Sequence, residues 1–552
     1  MQSGMFRRVL PELALFCATI AAVLFGTATA PAQVRIPAAA LASEADYNAV
    51  LQKGHELEQE RRWIDALSHY ESATRQFPAQ EDLEQRLRIA RLHYDVARRY
   101  ADVSFLESVN NISEREALDL YAEVLLKITT HHVDNPDWQH LLQQGSLAVD
   151  VAFTEPAFLQ KNLPQATTDQ VTALRRELYR HGKQYTARSR HEARDIAWST
   201  AQLARSMMGI STQAVLMEYI GGAMNGLDRY SSYLTGGQLD DVFSQIEGNF
   251  VGLGIELKAD DQTLLIVDVI PESPAESGGI RAGDRIVQVD GKSTNDISTD
   301  EAAEMLKGPE GSHVHVVVRS PDGSHRLLDL ERNRVDVPSV VDIKMIDAEY
   351  GTAYMRLASF QKTTSRDVDA ALWQLHRQGM RSLIIDLRGN PGGLLTASVE
   401  AADKFVSQGP IVSTRGRSSR EDFDYKAHAV GTWRVPLIVL IDGDSASASE
   451  IFAGAIRDHQ RGTVMGERSY GKGSVQGIFP LNSYKSGVRL TTAKFYSPAG
   501  HAISKRGVLP DVVVHQAAKP DTDNPNLADT GDEDTVLQAS VRYARTQLTQ
   551  RP

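Results

Sequence analysis

The C-terminal half of the chain contains two short, almost wholly apolar segments, and each is followed by a turn of small residues and a helical pattern. Residues 382–387 read SLIIDL, and residues 437–441 read LIVLI. Such segments are typical of strands buried on both faces, and strands that alternate with helices are typical of a parallel sheet. The region from Pro338 to about Val514 is therefore predicted to be an α/β domain.

A chain of 552 residues is too long for a single hydrophobic core, so several domains are expected. Before the α/β region the pattern is first helical and then changes to short apolar strands separated by Gly, Pro and Asp turns. The predicted segments are a signal peptide (1–32), a linker (33–43), a first helical region (44–140), a second helical region (141–247), a small β domain (248–335), the α/β core (336–515), and a mobile linker with a short terminal helix (516–552). The predicted fold class is a multidomain α/β protein.

The N-terminus has the order of a secretory signal peptide. Arg7 and Arg8 precede an apolar segment at residues 13–25, and small residues follow as far as Ala32. Cleavage after Ala32 would release an exported protein, most simply into a bacterial periplasm. The alternative is an uncleaved membrane anchor at residues 9–26, although the apolar segment is short for a membrane span.

Charge and cysteine content argue against several classes of function. The formal net charge of -12 gives no electrostatic reason to expect nucleic acid or an anionic membrane as a partner. Cys17 is the only cysteine, and it lies in the predicted signal segment. The mature chain would therefore have no disulfide, no thiolate nucleophile and no cysteine metal site. We predict no metal and no cofactor.

Six residues of the first helical region have the spacing of a tetratricopeptide repeat. They are Gly54, Leu57, Ala66, Tyr70, Ala73 and Pro78. Small residues at three of these positions would let two helices approach closely, and the proline would end the second helix. If the unit is a true repeat, binding of a protein adaptor is its expected role, and an ordinary helical hairpin is the alternative.

The predicted β domain contains two segments typical of a PDZ domain. Residues 250–255 (FVGLGI) resemble a carboxylate-binding loop, in which glycines let consecutive backbone N–H groups converge on an anion. Residues 279–291 have the matching turn–strand–turn pattern, and another small β domain is the alternative. PDZ domains bind extended C-termini by strand addition. The expected binding residues are Gly252, Leu253, Gly254 and Ile255.

Three alternate serines follow the apolar segment 437–441. Ser445, Ser447 and Ser449 lie where a strand should turn into a helix, and N–H groups at a helix start can stabilise an oxyanion. Ser447 and Glu450 also fit a capping box, in which the serine merely caps the helix. The pattern alone chooses neither between a nucleophile and a cap nor among the three serines.

A glycine-flanked lysine follows in the segment GERSYGKGSVQ at residues 466–476. The segment nearly matches a phosphate-binding loop, but Gly473 stands where Ser or Thr should bind magnesium, and a strand should follow rather than a helix. Lys472 would better suit a buried general base, provided that burial lowers its pKa from about 10.4 to about 7–8. A serine paired with such a lysine is a known variant of the catalytic triad.

Together these motifs resemble those of the C-terminal processing peptidase family. The resemblance rests on residues 445–451, residues 471–476 and the segment LRGNPGG at 387–393, and it extends over about residues 200–515. It implies a crotonase-like α/β protease core with an inserted PDZ domain. Residues 141–247 would then be the helical N-terminal part of the protease, whereas the tetratricopeptide-like region is not standard for the family.

The resemblance also implies roles for single residues. Ser447 would be the nucleophile, Lys472 the base, and Gln476 a residue that orients the lysine. The implied oxyanion donors are the N–H of Ala448 and that of a glycine in the upstream loop, taken as Gly393.

Three further polar residues of the core have side chains suited to a catalytic or structural role. Asp458 matches an acidic family position whose role would be structural. His459 and His501 are rival candidates for the base, but neither lies in a recognisable triad segment.

The expected function is that of an exported serine endopeptidase that cleaves proteins near exposed apolar C-termini. Its partners would be protein or peptide substrates with free C-termini, and it could form a homo-oligomer. One alternative is a non-catalytic scaffold that holds partners through the PDZ domain and the helical repeat. The other is a crotonase-type acyl-transfer enzyme, against which the PDZ insertion argues.

Overall fold

The computed structural model describes residues 44–77, 80–260, 263–295, 302, 305–516 and 534–550. The predicted signal peptide or anchor, the linker after it, Pro78 and nearly all of the linker before the terminal helix lie outside these residues. Among the residues that are described, no helix is long and apolar enough to cross a membrane.

The N-terminal half of the described chain is helical, with a short strand, β1 (Ser232–Leu234), near its end. Its helices are α1 (Glu44–Gln59), α2 (Trp63–Gln76), α3 (Glu81–Ala101), α4 (Val103–Asn111), α5 (Glu114–His131), α6 (Trp138–Ala152), α7 (Pro156–Asn162), α8 (Thr168–Gly182), α9 (Arg190–Met208), α10 (Thr212–Asn225) and α11 (Gly236–Glu247). Three of them begin with capping boxes, Ser113 with Glu116 at α5, Thr167 with Gln170 at α8 and Thr235 with Gln238 at α11.

The buried apolar residues of the helical half form two main clusters that meet within α3. The buried residues of α1, α2 and the first part of α3 form one cluster. Most of those from Val96 onward form the second cluster, which also includes Val488 and Leu490. In the first cluster, a Cβ on Gly54 would lie 2.3 Å from the Tyr70 hydroxyl, so only glycine lets α1 and α2 approach this closely. This contact agrees with the repeat spacing, and the assignment as a tetratricopeptide repeat stays a prediction.

Residues 249–336 form a small β domain. Strands β2 (Asn249–Gly252) and β9 (Asn333–Asp336) pair with each other where the chain enters and leaves it. The elements between them are β3 (Ile255–Asp260), β4 (Thr263–Val269), α12 (Pro274–Ser277), β5 (Arg285–Val289), β6 (Lys292–Ser293), β7 (His313–Arg319) and β8 (His325–Glu331). The sheet has the order β3-β4-β5-β7-β8, with β6 beside β5, so β3 is an edge strand.

The α/β core contains two sheets. Its elements are β10 (Val340–Asp347), β11 (Thr352–Leu357), α13 (Thr364–Arg377), β12 (Ser382–Asp386), α14 (Leu395–Asp403), β13 (Pro410–Gly416), a 3-10 turn (Ser419–Glu421), β14 (Phe423–Lys426), β15 (Leu437–Ile441), α15 (Ala448–Asp458), β16 (Thr463–Gly466), β17 (Ser474–Pro480), β18 (Gly487–Tyr496), β19 (Val512–Val513) and α16 (Thr535–Thr549). The larger sheet has the order β10-β11-β12-β15-β16-β19 and is parallel from β11 onward. The smaller has the order β1-β18-β13-β14, with β17 paired to β18. The predicted multidomain α/β fold is confirmed, and the two apolar segments are the neighbouring parallel strands β12 and β15.

The larger sheet is covered on both faces. The buried residues of α13, α14 and α15 belong to one apolar cluster with the sheet, and those of α16 belong to another. Helix α16 is also tied to the core by ion pairs at both ends. Asp534 accepts the N–H of Leu537 and binds both Nη atoms of Arg388 at 2.8 and 2.6 Å. Near the other end, Arg545 Nε lies 2.6 Å from Asp347 Oδ2.

Candidate active site

Ser447 lies at the turn between β15 and α15, as the sequence predicts. Its backbone has φ 56° and ψ −111°, a conformation that residues with a Cβ rarely adopt. The turn is pressed against the loop at residues 387–393, since a Cβ on Gly392 would lie 2.8 Å from Ser447 Cβ and 2.9 Å from Ala448 N. A strained turn from a strand into a helix is a known way of presenting a nucleophilic serine.

The three alternate serines differ in their hydrogen bonds and in their access to the cavity. The Ser445 hydroxyl donates to Leu387 O at 2.8 Å, and the Ser449 hydroxyl donates to Asn390 O at 2.9 Å. Both side chains are fully buried. Ser447, in contrast, lines a cavity of about 960 Å³. Of the three, only Ser447 is placed to meet a substrate.

The cavity lies between the α/β core and the small β domain. From the core it is lined by Ser447, Lys472, Gln476, Gly392, Gly393 and Arg489, among others. Phe250 of β2 and Lys307 line its other side, and Lys307 Nζ lies 3.2 Å from Asp241 Oδ1 of α11. The serine, the lysine and the β domain therefore face one common space.

Lys472 occupies a partly buried position that its glycine neighbours enforce. Gly471 has φ 92°, and a Cβ on Gly473 would lie 2.2 Å from Ser504 N. Burial lowers the pKa of Lys472 to about 8, and the positive charge of Arg489 acts in the same direction, against the weaker opposing effect of nearby acids. A lysine with this pKa is partly neutral near neutral pH, as a general base requires.

Glu450 joins the segments that carry the serine and the lysine. Its Oε2 accepts the N–H of Ser447 at 2.8 Å and that of Lys472 at 2.9 Å. Its Oε1 accepts the N–H of Gly471 at 2.7 Å and the hydroxyl of Ser469 at 2.6 Å. The side chain is fully buried, and burial raises its pKa although the four hydrogen bonds oppose this. The sequence indicated only the helix cap, because the other donors come from a distant segment.

Two backbone N–H groups near Ser447 fit an oxyanion site. No hydrogen bond from the N–H of Ala448 or of Gly393 is found within the described part of the chain, whereas Gly392 N donates to Asn390 Oδ1 at 2.8 Å. Gly393 has φ 139°, and a Cβ there would lie 2.0 Å from Phe360 O, so only glycine fits. The pairing of Gly393 with Ala448 stays a prediction that these contacts support.

Gln476 lines the cavity beside Lys472, but its amide nitrogen bonds elsewhere. Gln476 Nε2 donates to Ser474 Oγ at 2.9 Å and approaches Thr491 Oγ1 at 3.5 Å. Its predicted orienting role is therefore not visible as a hydrogen bond to Lys472 among the described contacts, and it stays a prediction.

The other three polar residues singled out in the sequence, Asp458, His459 and His501, do not line the cavity. Asp458 Oδ2 accepts the N–H of Ala499 at 3.0 Å, which agrees with a structural role. His459 follows the end of α15, and its Nε2 lies 2.7 Å from Pro410 O. His501 is exposed. Neither histidine lines the cavity, which favours Lys472 as the base.

The segment between α10 and β1 packs over Lys472. The lysine Nζ lies 5.2 Å from the ring centre of Tyr230. Asp228 holds this segment, since it accepts the N–H groups of Tyr230 and Ser231 at 2.7 and 2.9 Å and lies 3.0 Å from His132 Nε2. Burial raises the pKa of Asp228, but these hydrogen bonds outweigh it and lower the pKa to about 2.

The first helical region also reaches the site. The guanidinium of Arg75 in α2 lies 4.5 Å from the ring centre of Tyr470, two residues before Lys472. Arg91 of α3 donates to Arg229 O at 2.8 Å. No local sequence signal indicates these contacts, because the partners are far apart in the chain.

The predicted carboxylate loop lies between two strands of the β domain. Gly252 ends β2 and Ile255 begins β3, with the buried Leu253 and Gly254 between them. Gly254 has φ 80°, and a Cβ there would lie 2.3 Å from Ser273 Cβ. Within the described residues, the N–H groups of Leu253 and Gly254 donate no hydrogen bond. The carboxylate-binding role of this loop stays a prediction, with which the free N–H groups agree.

Comparisons with known proteins agree with this architecture. The family described as peptidase family S41 matches residues 351–514, and the PDZ domain family matches residues 265–320. A carboxy-terminal-processing protease of Bartonella bacilliformis is 38% identical over 311 residues, which cover 55% of this chain and 70% of the relative.

Two further relatives carry similar names. A carboxyl-terminal-processing protease of Picosynechococcus sp. is 35% identical over 294 residues, which cover 52% of this chain and 70% of the relative. The carboxy-terminal processing protease CtpA of Bacillus subtilis is 30% identical over 336 residues, which cover 59% and 71%. The chain therefore belongs to the C-terminal processing peptidases of family S41, and it is a serine-type peptidase that carries a PDZ domain.

Proposed function

We propose that the protein is an exported endopeptidase that cleaves proteins near exposed apolar C-termini, with Ser447 as nucleophile and Lys472 as base. One observation carries the assignment of the pair. Ser447 and Lys472 line the same cavity, and their backbone N–H groups bind one buried carboxylate oxygen of Glu450. The shared oxygen joins the two segments.

The proposed reaction follows from the charge state of Lys472, which is partly neutral near neutral pH. Neutral Lys472 removes the proton of the Ser447 hydroxyl while the oxygen attacks the carbonyl carbon of the scissile bond. The N–H groups of Gly393 and Ala448 stabilise the oxyanion that forms. The protonated lysine then gives its proton to the leaving amine, and water hydrolyses the acyl-enzyme by the same route in reverse.

A direct test of this function uses an unfolded protein as substrate. The purified chain should produce fragments whose ends, mapped by mass spectrometry, cluster near the C-terminus of the substrate. Fragments in equal amount from the Ser447→Ala variant would show that a contaminating protease made them.

The β domain is proposed to read the substrate C-terminus. The terminal carboxylate would bind the N–H groups at Leu253 and Gly254, and the terminal strand would pair with the edge strand β3. A protein substrate with a free C-terminus should therefore be cleaved faster than the same protein with an amidated C-terminus, by about tenfold. Equal rates for the two substrates would contradict carboxylate reading and leave the catalytic proposal intact.

Export is proposed from the composition of residues 7–32. The protein isolated from bacteria that express the full sequence should begin near Gln33 and should be recovered outside the cytoplasm without detergent. Mass spectrometry of the N-terminal peptide shows whether the signal segment has been cleaved. An intact N-terminus in the membrane fraction would contradict cleavage of a signal peptide and would support the uncleaved membrane anchor at residues 9–26.

A further inference from the structure

Arg489 is a cation of the candidate active site that the proposed reaction does not use. It lies near the start of β18, where its neighbours in the sheet are Ser232 of β1 and Ile478 of β17. Its side chain is partly buried and lines the same cavity as Ser447 and Lys472. Strand pairing on both sides fixes its backbone, so its place in the cavity is built into the sheet.

The guanidinium has no acidic partner within the described part of the chain. No hydrogen bond or ion pair of Arg489 is found there, in contrast to Arg388 or Arg332, which bind carboxylates or carbonyl oxygens. Burial lowers the pKa of Arg489, and the charge of Arg98 lowers it further. A carboxylate partner would have the opposite effect.

Two acids whose charges act on Lys472 are already engaged. Glu450 uses both oxygens to bind N–H and hydroxyl groups of the catalytic segments. Asp228 uses both oxygens on His132, Tyr230 and Ser231. Of the acids that line the cavity, Asp241 pairs with Lys307, and neither it nor Glu421 contacts Arg489 within the described residues. The guanidinium is therefore open to an anion that a ligand brings.

An unpaired, partly buried guanidinium is costly for the protein to hold, and a carboxylate is the group that its planar fork fits best. We propose that Arg489 binds a carboxylate of the bound peptide close to the scissile bond, which makes it a specificity-determining residue. The carboxylate is either an Asp or Glu side chain of the substrate or the terminal carboxylate of a short peptide. This inference rests on the proposed endopeptidase function and concerns which peptides its cavity accepts.

The test uses pairs of fluorogenic peptides that differ only by Asp against Asn at each position flanking the scissile bond, each made with a free and an amidated C-terminus. For the intact enzyme we expect kcat/KM to be about tenfold higher for the acidic member at one position. A preference that follows the Asp side chain identifies a side-chain subsite. A preference that follows only the free terminus of short peptides identifies a terminal subsite.

The variants separate this effect from a general loss of activity. Arg489→Gln should bring the acidic-to-neutral ratio to about one, and Arg489→Lys should keep part of it because the charge remains. Absolute rates will also change, since the charge of Arg489 contributes to the lowered pKa of Lys472; the ratio removes this common factor. Lys494→Gln removes an exposed cation from the same strand outside the cavity and should leave the ratio unchanged.

Two results would overturn the inference. One is an equal rate for every matched pair with the intact enzyme, and the other is an acidic preference that persists unchanged in Arg489→Gln. Either result would leave Ser447-dependent cleavage, and so the proposed function, in place. If Arg489→Gln fails to fold, two other measurements test the inference. One is the acidic-to-neutral ratio of kcat/KM for Arg489→Lys. The other is the affinity of Ser447→Ala for each member of a matched pair, measured by fluorescence anisotropy.

Discussion

Replacing Ser447 by alanine is expected to lower kcat/KM by at least about 10⁴-fold while the protein stays folded. The hydroxyl lost is the proposed nucleophile, and no other serine hydroxyl of the turn faces the cavity. The hydrogen bond from the residue 447 backbone N–H to Glu450 survives the substitution. Initial rates on a fluorogenic peptide, with circular dichroism as the check on folding, measure the effect.

Ser445→Ala and Ser449→Ala are the matched controls. Each removes a buried hydroxyl that donates to a backbone carbonyl, so each should reduce the free energy of unfolding by about 1 kcal/mol. Both variants should keep activity within about tenfold of the original enzyme. A folded Ser449→Ala variant without activity, next to an active Ser447→Ala variant, would move the nucleophile to Ser449.

Replacing Lys472 by alanine or arginine should lower kcat/KM by about 10³- to 10⁴-fold. Alanine removes the base, and arginine keeps its proton at any working pH. Both variants retain the backbone N–H that binds Glu450, so the segment should stay in place. His459→Ala and His501→Ala should remain active. Loss of activity in either folded variant would support a histidine as the general base.

The same lysine fixes the sign of the pH dependence. The base works only when neutral, so kcat/KM should rise about tenfold per pH unit below pH 8 and level off above it, with the midpoint at the lysine pKa of about 8. A profile measured from pH 5.5 to 9.5 checks this. A midpoint near 6.5 would point to a histidine instead.

Local patterns were enough to locate the two buried strands of the core and the helix after Ser447. The apolar segment at 437–441 is β15 to the residue, and the helix after Ser447 begins at Ala448 as expected. Buried strands and helix starts are set by neighbours in sequence, so periodicity and small-residue turns identify them. The glycine-flanked Lys472 could be singled out for the same reason, because its flanking residues dictate its backbone.

Contacts between distant segments could not be predicted in this way. The sequence marks Glu450 as a helix cap through its spacing from Ser447, but three of its four hydrogen-bond donors belong to the segment of Lys472. The pairs of Arg75 with Tyr470 and of Arg388 with Asp534 likewise join residues with no common local pattern. Such partners are chosen by tertiary packing, which a single sequence does not display.

The ion pair between Arg388 and Asp534 has a consequence for the order in which the enzyme is assembled. Arg388 begins the loop that carries Gly393, and Asp534 starts the helix that packs on the far face of the sheet. A ribosome makes every residue of the serine and lysine segments before it makes Asp534. This contact of the loop can therefore form only after the serine and lysine segments have been synthesised. A growing chain would lack this ion pair at its active-site loop until α16 could fold against the sheet.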